Sequence, residues 1–378
     1  MPRRPRRPDA GRWRGGRASA ACAQVTVPPV SSPATTTTDP LLSAHTTLRL
    51  GGPAARIVRA EGPREVVDAV GSADAAGERV LLVGGGSNLV VADDGFDGTA
   101  VLLAGRGLSY ECAGDVVVAT VDAGEDWDDV VAATVADGFG GLECLSGIPG
   151  RTGATPVQNV GAYGVEVADL LVDVDLYDRR TRTVREHVPA AELGLAYRTS
   201  VLKGNDDAIV LRVRFALRAD GRSAPIRYAE LARTLGVAPE TRVEPAAARE
   251  AVLGLRRGKG MVLDAADHDT WSAGSFFTNP ILPVADAPQV EGLAAWPAGE
   301  GCVKLSAAGL IQNAGFARGH AGPGGRVALS SRHVLALTHR GGGTTADLLA
   351  LAREVRDGVA DRFGVVLHPE PVLVNCAV

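Results

Sequence analysis

LSGIPGRTGATPVQNVGAYG, residues 145–164, holds five glycines and two prolines among short polar side chains and shows neither helical nor strand periodicity. It reads as an ordered loop folded around a ligand. Glycine has no Cβ to keep a ligand off the backbone, so Gly147, Gly150, Gly153, Gly161 and Gly164 can line an anion-binding concavity. Ser146, Thr152, Thr155 and Asn159 would add donors, and a diphosphate is the natural guest. A surface linker would share the glycine content, but Ile148, Val157, Val160 and Tyr163 are interleaved with it and call for burial.

A second Gly-rich turn lies upstream. RVLLV (79–83) reads as a buried strand and GGGSNLV (84–90) follows at once, bringing successive N–H groups to the point where the chain leaves a sheet. Two phosphate-type loops point to a dinucleotide. The fingerprint of the Rossmann fold needs glycine three positions beyond Gly86, where Leu89 stands, and no helix opens after Asn88. A nicotinamide-type Rossmann domain is therefore disfavoured, and GGGSN alone also fits a plain turn. Around these loops the chain mixes helix and strand. Pro63 opens a short helix with Val66, Val67 and Val70; strands follow near 99–105 and 115–124; a helix runs from about Glu125–Asp129 to Gly138. Strands near 170–177 and 208–217 flank AYRTS (196–200), and residues 344–364 form an amphipathic helix with a threonine cap and Gly364 as its stop. This is an α+β pattern.

The 378 residues, 46% hydrophobic, can build two or three domains, and no apolar run reaches the length of a membrane span. The five cysteines, at 22, 112, 144, 302 and 376, are odd in number and lack a CxxC pair. They suggest neither a disulfide framework nor a zinc site, so reduced, mostly buried thiols and no metal are expected. Residues 1–40 hold seven arginines and two aspartates, a net +5, leaving −5 − (+5) = −10 on the rest. Rich in Pro, Arg, Ser and Thr, this basic tail is expected to be disordered. It lacks the apolar stretch of an export signal. A nucleic-acid arm, a peripheral membrane contact and an upstream-extended start remain open readings of it.

Several residues stand out chemically. Glu370, between Pro369 and Pro371, is held extended in an otherwise apolar run, as an aimed carboxyl or as an edge-strand glutamate would be. Ser275 follows Gly274 and precedes two of only seven phenylalanines, a setting for a proton donor in a dry pocket or for an ordinary turn serine. Arg198, within AYRTS, fits a site residue or a surface ion pair. Lys203, Lys259 and Lys304 are the only lysines among 39 cationic side chains, which marks them as positions needing a compact ammonium. No Ser-His-Asp order is evident, and GSFFTNP is not a G-x-S-x-G elbow.

GGGSN, residues 145–164, AYRTS, GSFFTNP (274–280) and HPEPVLV (368–374) occur in this order, and from about His45 to the C-terminus the chain closely resembles the UDP-N-acetylenolpyruvoylglucosamine reductase family, flavin enzymes of peptidoglycan precursor synthesis. The resemblance implies an α+β fold: a two-subdomain FAD-binding module of the vanillyl-alcohol-oxidase type plus a C-terminal α+β substrate domain. The module would span 41–222, with subdomains of about 41–104 and 105–222. The substrate domain would span 223–378, with the last strand, 365–378, a candidate to return to the module. FAD would bind non-covalently through Gly84, Gly85, Gly86, Ser87 and Asn88. The second loop would add Ser146, Gly147, Ile148, Pro149, Gly150, Gly153, Ala154, Asn159, Gly161, Ala162, Tyr163 and Gly164.

The family's chemistry implies that NADPH supplies the hydride, after which UDP-N-acetylglucosamine enolpyruvate takes the vacated space. Arg198 would clamp the substrate carboxylate, protonated Glu370 would donate a hydrogen bond there, and Ser275 would protonate the carbanion. Tyr228 resembles the substrate-covering tyrosine of the family's first type. Arg256, Lys259, Asn279, Lys304 and Asn313 are further substrate contacts, although Asn313 often corresponds to Gln and residues 259–272 align poorly. His45, in a His-x-Thr motif, has an expected structural or flavin-packing role. The resemblance further implies a cytoplasmic monomer that requires no nucleic acid. Another flavin oxidoreductase of this fold would not need AYRTS, GSFFTNP and HPEP together, and a silent nucleotide sensor would not need Ser275 and Glu370.

Overall fold

The computed structural model describes residues 35–36 and 40–378, and the disorder expected of the basic tail concerns residues that lie almost wholly outside these. Phe96–Leu103 is buried at every position but Asp97, the continuous pattern of a strand covered on both faces. It accordingly runs between Ala54–Ala60 and Val80–Val83, parallel to both. Helix α1 (Pro63–Ala75) starts on its proline and buries Val66, Val70 and Ala73. After Val80–Val83 the GGGSN turn leads into the short strand Leu89–Val91 rather than a helix, as Leu89 in place of a third glycine foretold. That short strand pairs in parallel with Val372–Val374 from the far end of the chain.

The second sheet is wholly antiparallel, in the order Thr183–Pro189, Leu171–Asp178, Ala208–Arg218, Val116–Asp122, Leu108–Ala113. Helix α2 (Trp127–Ala136) covers it, capped by the Asp126 carboxylate, which accepts the Asp128 N–H at 3.2 Å. Trp127 packs edge-on to Phe215, with ring centroids 5.6 Å apart, and its indole N–H donates to Leu145 O at 3.0 Å. One buried tryptophan thus ties the sheet's core to the first residue of the long Gly-rich loop. Helices α3 (Ala229–Leu235) and α4 (Pro245–Gly258) add Leu231, Ala232, Ala248 and Val252 to the same core.

A separate core gathers Phe276, Phe277, α5 (Ala307–Asn313) and α6 (Thr345–Phe363). In α6 the apolar spacing buries Leu348, Leu351, Val355 and Val359, each worth about 1.5–3 kcal/mol in transfer terms. Thr344 and Asp347 form a reciprocal capping box, and Gly364, at φ 70°, ends the helix in the left-handed region. No described helix is long and apolar enough to cross a membrane. Cys144, Cys302 and Cys376 are free and only Cys144 is fully buried. Cys112 is disulfide-bonded, a correction to the expectation of reduced thiols throughout.

Candidate active site

The two Gly-rich loops meet. A Cβ on Gly85 would stand 2.6 Å from Gly150 Cα, and one on Gly150 would stand 2.9 Å from Ser87 Oγ, so only glycines allow this approach. Beneath the turn, Gly86 packs on the His45 carbonyl and its own carbonyl accepts the Thr47 N–H at 3.2 Å. The result is a cleft of about 220 Å³ whose walls include His45, Thr46, Thr47, Arg59, Gly84, Gly85 and Arg151, with Leu102, Leu103 and Ala104 as an apolar side. The N–H groups of Gly85, Gly86 and Ser87 find no acceptor among the described residues. Arg151 lies with Nη1 3.5 Å from Asp126 Oδ2, yet neither its Nε nor its Nη1 makes a hydrogen bond although both are buried. Uncommitted amides and an orphaned guanidinium beside an apolar wall suit a nucleotide diphosphate.

The long loop contributes less than its composition suggests. Ser146 Oγ donates to Glu143 O at 2.6 Å, and Thr152 and Thr155 donate to Glu125 O and Thr152 O. Asn159 donates to Glu166 Oε2 and Ala196 O while accepting from the Ala168 N–H. These four side chains, expected to serve a ligand, instead hold the loop's shape because each is engaged internally. Gly147 N–H is likewise taken by Asp128 Oδ1 at 2.6 Å, and Gly153 N–H by Ala123 O at 2.9 Å. Ile148, Pro149 and Gly150 are half-buried beside the first loop, with Ala154 approaching Gly84.

At the loop's far end the structure brings together the catalytic candidates. Arg198, at φ 53°, sits on a turn closed by the Ala196–Thr199 bridge, and its Nη2 donates to Gly161 O at 2.7 Å. Its Nε lies 3.7 Å from Glu370 Oε1. Burial raises the Glu370 carboxyl above its ordinary value, against the pull of Arg198 and Lys203, so the neutral acid is favoured. The Glu370 N–H donates to Phe276 O at 2.8 Å, and Phe277 bridges Pro369. The half-buried Ser275 is therefore next in sequence to the residue that accepts the Glu370 N–H. Asn279 accepts the Ala307 N–H at 2.9 Å, and Lys304 Nζ stands 4.4 Å over the ring of Tyr197, next to Arg198.

A second group lies beyond Gly161–Gly164, where Tyr163 and Tyr228 pack edge to face at 5.4 Å and Lys259 Nζ stands 5.8 Å from the Tyr163 ring. Lys259 pairs with Glu230 at 2.5 Å, and the buried Arg256 donates to Met261 O while its Nε has no partner. Asn313 is exposed and donates to Gly309 O of its own helix. All three lysines are engaged, Lys203 donating to Arg198 O at 3.0 Å. Arg151, Arg59 and Tyr197 were not singled out from the sequence. Among the described residues Asp173, Asp175 and His187 could together hold a cation, but Arg214 already bonds both carboxylates, at 2.7 and 2.8 Å.

Comparison with known proteins agrees with this geometry. The C-terminal domain of UDP-N-acetylenolpyruvoylglucosamine reductase matches residues 266–374 and an FAD-binding domain matches residues 54–186. The UDP-N-acetylenolpyruvoylglucosamine reductase of Saccharopolyspora erythraea is 66% identical over 348 residues, covering 89% of this chain and 95% of its own. That of Salinispora arenicola is 55% identical, with the same coverage. The crystal structure of the Thermus caldophilus enzyme shares the fold, with a TM-score of 0.62 at 24% identity over 90% of this chain and 99% of its own. The matched segments include both Gly-rich loops, Ser275 and Glu370, and identity of this extent over most of both chains places the chain in the UDP-N-acetylenolpyruvoylglucosamine reductase family, as an FAD-dependent oxidoreductase.

Proposed function

We propose that this enzyme reduces UDP-N-acetylglucosamine enolpyruvate to UDP-N-acetylmuramate, a step of peptidoglycan precursor synthesis, with NADPH as hydride donor. The observation that carries the reading is the convergence of Arg198, Glu370 and the Ser275–Phe276 segment, drawn from three distant parts of the chain, at the end of the Gly-rich loop. FAD fits the cleft between the loops: Gly85, Gly86, Ser87 and Arg151 would hold its diphosphate, and Leu102, Leu103 and Ala104 would pack against its apolar parts. When bound, FAD supplies the hydride relay between NADPH and the enolpyruvyl group.

The chain's own residues supply the rest. Arg198 has one edge fixed on Gly161 O, which leaves its Nε side toward Glu370 for a substrate carboxylate. As negative charge builds on that carboxylate and the adjoining carbon, the fixed guanidinium and a neutral Glu370 acting as donor meet it without reorganising. Ser275 hands the proton to the carbon, and Lys304, Asn279, Lys259 and Tyr228 bind the nucleotide portion. Arg256 and Asn313 stand as outer contacts.

Stopped-flow absorbance tests this reading. Protein reduced anaerobically with NADPH and mixed with the enolpyruvyl substrate should regain the oxidised flavin band rapidly. Reduction by NADPH without reoxidation by this substrate would assign the chain to a different flavin reaction.

A further inference from the structure

Among the described residues, Arg151 and Arg256 are the arginines with buried guanidinium nitrogens that lack a hydrogen-bond partner, and only Arg151 lines the cleft between the Gly-rich loops. Arg59 is bonded to Glu61 at 3.2 Å and Arg106 to Glu125 at 2.7 Å, both close enough to repel the Arg151 guanidinium. Arg151 itself has only the 3.5 Å approach of Asp126, and its buried Nε and Nη1 donate to nothing. Buried donors without an acceptor are costly, and folding tolerates them where a ligand completes the hydrogen bonding. The cleft offers the completion: Arg151 lines it opposite Thr46 and Thr47, beside Gly84 and Gly85, whose turn carries the free N–H groups. A Cβ on Gly84 would sit 3.4 Å from Arg151 Cβ, so the guanidinium and the Gly-rich turn belong to one surface.

We propose that Arg151 is a binding residue for the diphosphate of the flavin dinucleotide, a guanidinium whose hydrogen bonding the protein leaves incomplete so that the ligand completes it. This rests on the FAD-binding assignment. The guanidinium fork donates to the diphosphate oxygens, the bound dianion offsets the repulsion among Arg59, Arg106 and Arg151, and the flavin-free protein bears the unmet hydrogen bonds.

The test uses the full-length holoenzyme and its Arg151→Met and Arg151→Lys variants. Flavin fluorescence on serial dilution gives the FAD dissociation constant, with ADP and riboflavin as competitors. For Arg151→Met the constant should rise roughly tenfold to a hundredfold, the scale of a lost charge-assisted pair, and ADP should compete less well while riboflavin is unaffected. Arg151→Lys should recover part of the loss, having the charge without the fork. Stripped of flavin, Arg151→Met should melt at or above the wild-type temperature, because two buried unsatisfied donors and the repulsion from Arg59 and Arg106 are removed. An unchanged FAD constant overturns the proposal, as does a marked drop in the flavin-free melting temperature, which would make Arg151 structural. An unchanged FAD constant with a raised KM for NADPH would overturn it in favour of the NADPH diphosphate. A wild-type protein that retained no flavin would refute the FAD assignment itself.

Discussion

In the proposed mechanism three side chains carry the chemistry, and each can be probed separately because the reaction has two halves. Ser275→Ala should leave flavin reduction by NADPH near the wild-type rate and slow reoxidation by the enolpyruvyl substrate by roughly two to four orders of magnitude, the scale of a lost general acid. Equal loss in both halves, read by stopped flow, would remove Ser275 from the proton transfer. Glu370 adds a pH signature. Its folded value is raised by burial, so the fold favours the neutral carboxyl, and the stability this gives is greatest in acid and lost as pH rises through the folded value. The donor form disappears over the same interval, so the reoxidation rate should fall on the alkaline side, and Glu370→Gln should flatten that limb at a lower rate. An alkaline limb as steep in the Glu370→Gln variant as in the wild type would mean that another group titrates. Glu370 was legible because two prolines bracket it, and the lysines because they are so few. Arg151 was not, since one arginine among many looks like the rest until its unmet hydrogen bonds are seen in three dimensions.

Elements were readable where they carry their own punctuation. Helix α6 announces itself through its capping threonine, helical apolar spacing and terminal glycine, and Thr344→Ala should cost about 1 kcal/mol in chemical denaturation while sparing both half-reactions. The strands Ile281–Pro283, Ala295–Pro297 and Cys302–Leu305 were not read, because they are three or four residues long, two end in proline, and such runs show no period. The Gly-rich loops are the intermediate case. Their role as ligand loops was visible in composition, but which groups face the ligand was not, since Ser146 and Asn159 are spent on the loop's own hydrogen bonds. Gly86 gives the sharpest test of loop geometry. At φ 60° its Cβ would lie 1.9 Å from the His45 carbonyl, so Gly86→Ala must push the His45–Thr47 wall out of the cleft. Purified Gly86→Ala should keep its far-ultraviolet circular dichroism and lose most of its flavin, and a fully yellow variant would show that the wall is dispensable.

The assembly of the whole molecule rests on contacts between residues hundreds of positions apart, which no local pattern announces. Thr47 Oγ1 donates to Ser272 O at 2.7 Å, and Val372–Val374 returns from the end of the chain to pair with Leu89–Val91. Asn88 concentrates this linkage. Its side-chain amide donates to Gln158 Oε1 at 2.9 Å and reaches Glu370 O at 3.5 Å, and its carbonyl accepts the Val372 N–H at 2.8 Å. One residue of the first Gly-rich turn thus holds the second loop on one side and the Glu370 strand on the other. The Glu370 carboxyl is positioned by the proposed cofactor loops, and a loss of aim there should appear in the second half-reaction. Asn88→Ala retains the backbone acceptor and removes both amide contacts. Its reoxidation by substrate should slow by roughly tenfold, the effect of a modestly misplaced catalytic group, with a smaller change in reduction by NADPH. Reoxidation at the wild-type rate would show that the backbone bonds the variant keeps, Glu370 N–H to Phe276 O and Val372 N–H to Asn88 O, suffice to set the carboxyl without the Asn88 amide.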